Sequence, residues 1–197
     1  MRQRSNVLKQ GMAMLLAFIL CVSGLGWLPP AGMTAKAAGK IEISSARELA
    51  QIGTSPEYPM NGNYVLTKDI DLSTYNNGEW IPIGGSGGPE YGLVSGDRVF
   101  SGTFDGNGKT ISNLKISFDG SSSQNTTNQS GLFAMIGSDS SEHYAEVKNL
   151  NFTDVSVSHL LGRGDSIGTL AADVDGYARI DNIAVLSGEI RATSGPG

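Results

Sequence analysis

Cysteine is all but absent: Cys21 is the single one, and it lies in an apolar N-terminal stretch. One thiol closes no disulfide and builds no cysteine-based metal knuckle, so the fold must rest on core burial. Histidine is nearly as scarce. His143 and His159 are the only two, and neither stands in the His-Glu-x-x-His spacing that puts two metal ligands on one helical face. Both fall in or beside expected loops and read as solvent-facing. No cysteine nucleophile survives loss of the N-terminal stretch. Positive charge is also thin, with 14 Lys and Arg against 19 Asp and Glu. The cations beyond residue 37 are scattered with no cluster of three, which argues against nucleic acid and against anionic membrane surfaces.

The first 37 residues have the layout of a Sec-type signal peptide. Arg2, Arg4 and Lys9 give a cationic start, Met12 to Trp27 an apolar stretch, and Ala35-Lys36-Ala37 a small-x-small cleavage pattern. Ser23, Gly24 and Gly26 interrupt the apolar stretch and Pro29-Pro30 follow it, which disfavours a permanent span. Leu20 before Cys21 is too large for lipoprotein processing. Cleavage after Ala37 removes Arg2, Arg4, Lys9 and Lys36 and no acid, moving the net charge from −5 to −9. A cysteine-free exported chain fits bacterial secretion, at the cell surface or beyond it, without membrane association after cleavage.

Beyond the signal, Ile41 and Ile43 alternate, and Ser45-Ala46-Arg47-Glu48 forms a capping-box pattern that predicts a short helix carrying Leu49 and Ile52. Residues 38–55 are expected to cap the first unit of a β region. Tyr64, Leu66, Ile70 and Leu72 then alternate around Lys68-Asp69, and Trp80-Ile81-Pro82-Ile83 reads as a further strand. Asp105-Gly106-Asn107-Gly108 begins like a calcium loop but lacks the distal Glu, so it reads as a tight turn. Residues 119–130 contain no apolar side chain and predict a solvated loop; Ser138 to His143 forms a second insertion.

One register then recurs: Ile111-Ser112-Asn113-Leu114-Lys115-Ile116, Val147-Lys148-Asn149-Leu150-Asn151-Phe152 and Ile180-Asp181-Asn182-Ile183-Ala184-Val185. Each reads apolar-x-Asn-apolar-x-apolar. The apolar positions change phase across the Asn, so the chain bends there, and Asn enters the left-handed region at modest cost. A repeated bend predicts stacked units in a right-handed parallel β-helix over residues 56–197, truncated at its C-terminal end, with Asn113, Asn149 and Asn182 forming one ladder. An antiparallel β-sandwich, its hairpins closed by the Asp-Gly and Asn-Gly turns, is the alternative fold.

Several segments taken in order resemble bacterial surface proteins of the GLUG-motif class. They are Ile43 to Ala50, Tyr64 to Leu72, Trp80 to Gly84, Phe100 to Ile111 and Gly131-Leu132-Phe133-Ala134. The resemblance implies a parallel β-helix on a secreted or wall-attached protein. Some relatives in that class are N-terminal regions of zinc metallopeptidases. Ala134 and Ala171 depart from the motif where its last glycine is expected.

Clustered carboxylates could serve polysaccharide cleavage, and Asp69 with Asp71 and Asp173 with Asp175 are the two same-face pairs. Local turn and strand-end bonding is the favoured account of such Asp residues. Arg163-Gly164-Asp165 spells an integrin-type tripeptide, read here as coincidence. The sequence-based expectation is a non-catalytic extracellular module without cofactor or metal, whose partner is a carbohydrate, a cell-wall polymer or a host surface protein. A polysaccharide lyase or hydrolase fragment and the targeting region of a larger metallopeptidase are the rivals.

Overall fold

A computed structural model describes residues 39–84, 99–118, 129–161 and 165–194, all within the unit Ala38–Gly197. The predicted signal segment and positions 119–128 of the predicted loop lie outside the described residues.

The chain opens with β1 (Ile41–Ile43) and one helical turn, α1 (Ala46–Leu49). Half of the capping box forms: Glu48 N–H donates to Ser45 Oγ at 3.3 Å, which satisfies one amide the helix start would leave unpaired. The Glu48 carboxylate reaches one residue further back than the box requires, accepting from Ser44 N–H at 2.7 Å and Ser44 Oγ at 3.0 Å. Leu49 and Ile52 are fully buried.

Strand succeeds strand from there: β2 (Asn63–Leu66), β3 (Ile70–Asp71), β4 (Thr103–Asp105), β5 (Thr110–Ser112), β6 (Lys115–Phe118) and β7 (Gln129–Ser130). The second half holds β8 (Phe133–Ser138), β9 (Ala145–Thr153), β10 (Val155–Leu161), β11 (Ser166–Ile167), β12 (Ala171–Gly176), β13 (Ala178–Val185) and β14 (Gly188–Ser194). The protein is all-β in class, and every pairing between these strands is parallel. The antiparallel alternative therefore has no counterpart among the described strands. The reason is spacing: partners lie tens of residues apart, as Ile111 and Phe152 do, which is far too long for a hairpin and right for a crossover.

The described strands form four sheets, ordered β1-β2-β4-β9-β5-β3 with β13 also on β9, then β14-β10-β6, β11-β7 and β12-β8. Nine-residue β9 binds β4 along its first half and β5 along its second, so the Asp105–Gly108 turn bulges out of the layer that β9 covers. Registers align like with like. Tyr64, Phe104, Val147 and Ile180 form one column, and Ile70, Ile111, Phe152 and Val185 another. Phe133 adds edge contact to Phe104 at 5.6 Å and lies 4.7 Å from Phe100. Tyr64, Phe104, Val147, Ile70, Ile111 and Phe152 in these columns are buried, because strand alternation sends each one to the same side.

Two expected segments differ. Trp80-Ile81-Pro82-Ile83 forms no strand; Pro82 lacks the amide a ladder needs, and only Ile83 makes a single parallel bridge, to Phe133. Gln129 and Ser130, read as loop, are β7, and Ser130 is fully buried.

Candidate functional site

The three repeated Asn residues all take positive φ: 59° at Asn113, 55° at Asn149 and 51° at Asn182. They do not share one column. Asn182 Nδ2 donates to Asn149 Oδ1 at 2.9 Å, and Asn149 Nδ2 to Asp105 Oδ1 at 3.1 Å. Asn113 stands at another corner, donating to Asp71 Oδ1 at 2.8 Å. The strand register places Asp154, with φ 55°, on the layer over Asn113. The expected single ladder is thus two, and the sequence interval misled because the same bend serves two corners of unequal loop length.

Each ladder ends on an Asp that also accepts a local amide: Asp71 from Ser73 and Asp105 from Asn107, both at 2.9 Å. The Asn113 amide and the Ser73 bonds hold the Asp71 carboxyl below its usual range. At Asp105 burial pushes upward, but the Asn149 amide, the Asn107 N–H, Lys148 and Lys40 outweigh it, and the net shift is down.

Of the acidic pairs, Asp69 accepts from Thr110 N–H at 2.9 Å, so Asp69 and Asp71 are both engaged in holding neighbouring strands. Asp173 accepts from Gln129 Nε2 at 2.7 Å. Asp175 is exposed and faces a groove, lined also by Val99, Ser101, Gly137, Ser138, Asp139 and Ser140, with a volume of about 390 Å³. The Asp139 and Asp175 carboxylates make no hydrogen bond or ion pair among the described residues. Beside this groove Tyr177 N–H donates to Ser138 O at 2.9 Å, and the Tyr177 ring packs edge-to-face on Tyr144 at 5.9 Å. Both rings are exposed, and the Arg179 guanidinium lies 5.8 Å from the Tyr144 ring centre.

His159 corrects the sequence reading. It sits in β10 fully buried, not in solvent, with Nδ1 2.7 Å from Ser130 Oγ and Nε2 3.2 Å from Asp165 Oδ2. Phe118 packs on its ring at 4.5 Å. Alternation was the available signal: Val155, Val157 and His159 share one strand phase. Ser, His and Asp are the residue types of a nucleophilic triad, but Ser130 and His159 are fully buried, so the hydroxyl is not presented at a surface as a nucleophile is. They act as an internal polar clamp. Asp165, at 6% side-chain exposure, is held by it and is not presented as an integrin-type ligand would be. His143 is exposed, as expected.

Among the described residues no cluster of three or more His, Cys, Asp or Glu could hold a metal, and no helix is long and apolar enough to cross a membrane. No known family's sequence profile matches the chain, and no solved structure matches it. The chain is similar to Halomucin of Haloquadratum walsbyi, 29% identical over 157 residues covering 77% of the chain. It spans only 2% of that protein's length.

Proposed function

We propose that the chain is a non-catalytic extracellular module of a bacterial secreted or surface protein: a right-handed parallel β-helix of the GLUG-motif class that attaches to carbohydrate, cell-wall polymer or a host surface protein. The observation that carries this reading is the in-register parallel stacking of columns such as Ile70, Ile111, Phe152 and Val185. Such stacking leaves polar insertions free to vary on the outside while the core is maintained. The export pattern of residues 1–37 and the similarity to a segment of Halomucin support an extracellular setting. Binding arrays of glycans and envelope polymers, probed with the exported chain and a form lacking 119–128, test it. Loss of binding on deletion assigns attachment to that loop, whereas unchanged binding moves attachment elsewhere and no binding at all contradicts the reading.

A hydrolase or lyase remains a second reading because Asp139, in the bend after β8, and Asp175, in β12, line one groove. Reducing-end and ultraviolet assays on neutral and acidic polysaccharides with added Ca²⁺ distinguish it. Turnover abolished by Asp175→Asn would establish catalysis.

A further inference from the structure

We propose that the corner formed by Tyr144, Tyr177 and the adjoining Asp139–Asp175 groove is a glycan subsite selective for neutral or amino sugars. This deepens the reading of an extracellular binding module and rests on it. Tyr144 is 48% exposed and Tyr177 43%, an apolar surface that strand packing alone does not use. Sugar rings are two-sided, with C–H faces and hydroxyl edges. A tyrosine face supplies the first contact and clustered hydroxyls and carboxylates the second. Ser101, Ser138, Ser140, Asp139 and Asp175 supply that polar edge within a groove of about 390 Å³, a volume within the range of small-ligand sites.

The two acids separate this place from four other Asp positions. Asp69, Asp71, Asp105 and Asp173 each accept a hydrogen bond that ties strands or turns together. Asp139 and Asp175 accept none among the described residues, so their oxygens are available to hydroxyl or ammonium donors. Two unneutralised carboxylates in one groove repel uronate polymers and favour neutral or cationic sugars.

The frame is rigid. Gly176, at φ 68°, pairs with Ser138, and the Tyr177 amide bonds to the Ser138 carbonyl, fixing the ring's origin beside the groove. Arg179 lies over Tyr144, which leaves Tyr177 as the stacking platform.

Calorimetric titration of the full chain with oligomers of glucosamine, N-acetylglucosamine, glucose and galacturonate tests the proposal. Binding to at least one of the first three and not to galacturonate is expected. Tyr177→Ala should weaken it roughly tenfold or more, while Tyr177→Phe stays within about threefold. Asp175→Asn should reduce glucosamine affinity most, with the circular dichroism spectrum unchanged. Wild-type binding unaffected by Tyr177→Ala and Asp175→Asn overturns this subsite and leaves the module reading intact. Preference for galacturonate overturns the selectivity, and failure of the wild-type chain to bind any glycan overturns the subsite together with carbohydrate attachment.

Discussion

At Asn149 the backbone takes a left-handed conformation while the side chain donates to Asp105 and accepts from Asn182, so one residue joins three layers. Asn149→Gly keeps the bend and loses the amide, whereas Asn149→Ala loses both. Urea denaturation should show Ala less stable than Gly by about 1 kcal/mol, since an L residue at this φ costs roughly 1–2 kcal/mol. Equal losses would mean the conformation is not what Asn149 supplies. The depressed Asp71 and Asp105 carboxyls carry a pH signature. Their folded pKa lies below the unfolded value of about 3.9, so their contribution is complete above that pH and lost as pH falls through the folded value. Midpoints at pH 6 and pH 3 should show lower stability at pH 3, with the drop reduced in the Asp71→Asn, Asp105→Asn double variant. The bends themselves were legible because few residues other than Asn and Gly accept positive φ. The ladder partners were not, because Asp154 takes the left-handed bend over Asn113 without repeating the Asn, and the column therefore has no letter repeat.

Strands find their place through the columns more than through their length, β3 having only two residues. Phe104 stacks between Tyr64 and Val147 and meets Phe133 edge-on with no exposed surface. Phe104→Ala should cost about 3–5 kcal/mol by denaturant unfolding, because the fixed layer spacing prevents the void from closing. Gly102 makes a complementary case: a Cβ there would run into the Gly62 carbonyl of the adjacent layer. Gly102→Ala should lower the midpoint although it adds only one methyl group, and an unchanged midpoint would show that the layers can separate locally. Most strands were readable from alternation around turn residues. Trp80–Ile83 was not, since apolar letters alone conceal that the Trp80 indole donates to Leu132 O while Pro82 has no amide to offer.

Across the whole described unit, burial ends abruptly at one end of the stack. Val147, Phe152 and Val157 are buried, yet Ile180, Val185 and Ile190, their partners on the next layer, are 44%, 52% and 48% exposed. Val157→Ala should cost about 1–3 kcal/mol by denaturant unfolding, since its side chain is enclosed between two layers. This graded burial, the Tyr144–Tyr177 corner and the two amide ladders all depend on successive layers running in the same direction. Nuclear Overhauser contacts in isotopically labelled protein address that directly, because antiparallel non-hydrogen-bonded pairs bring facing Cα atoms to about 4.5 Å and give strong cross-strand Hα–Hα signals. The expected spectrum joins the Ile111 side chain to both Ile70 and Phe152, and Val147 to Phe104 and Ile180, without Hα–Hα contacts between paired strands. Strong Hα–Hα contacts between those strands, with these side-chain contacts missing, would contradict the account.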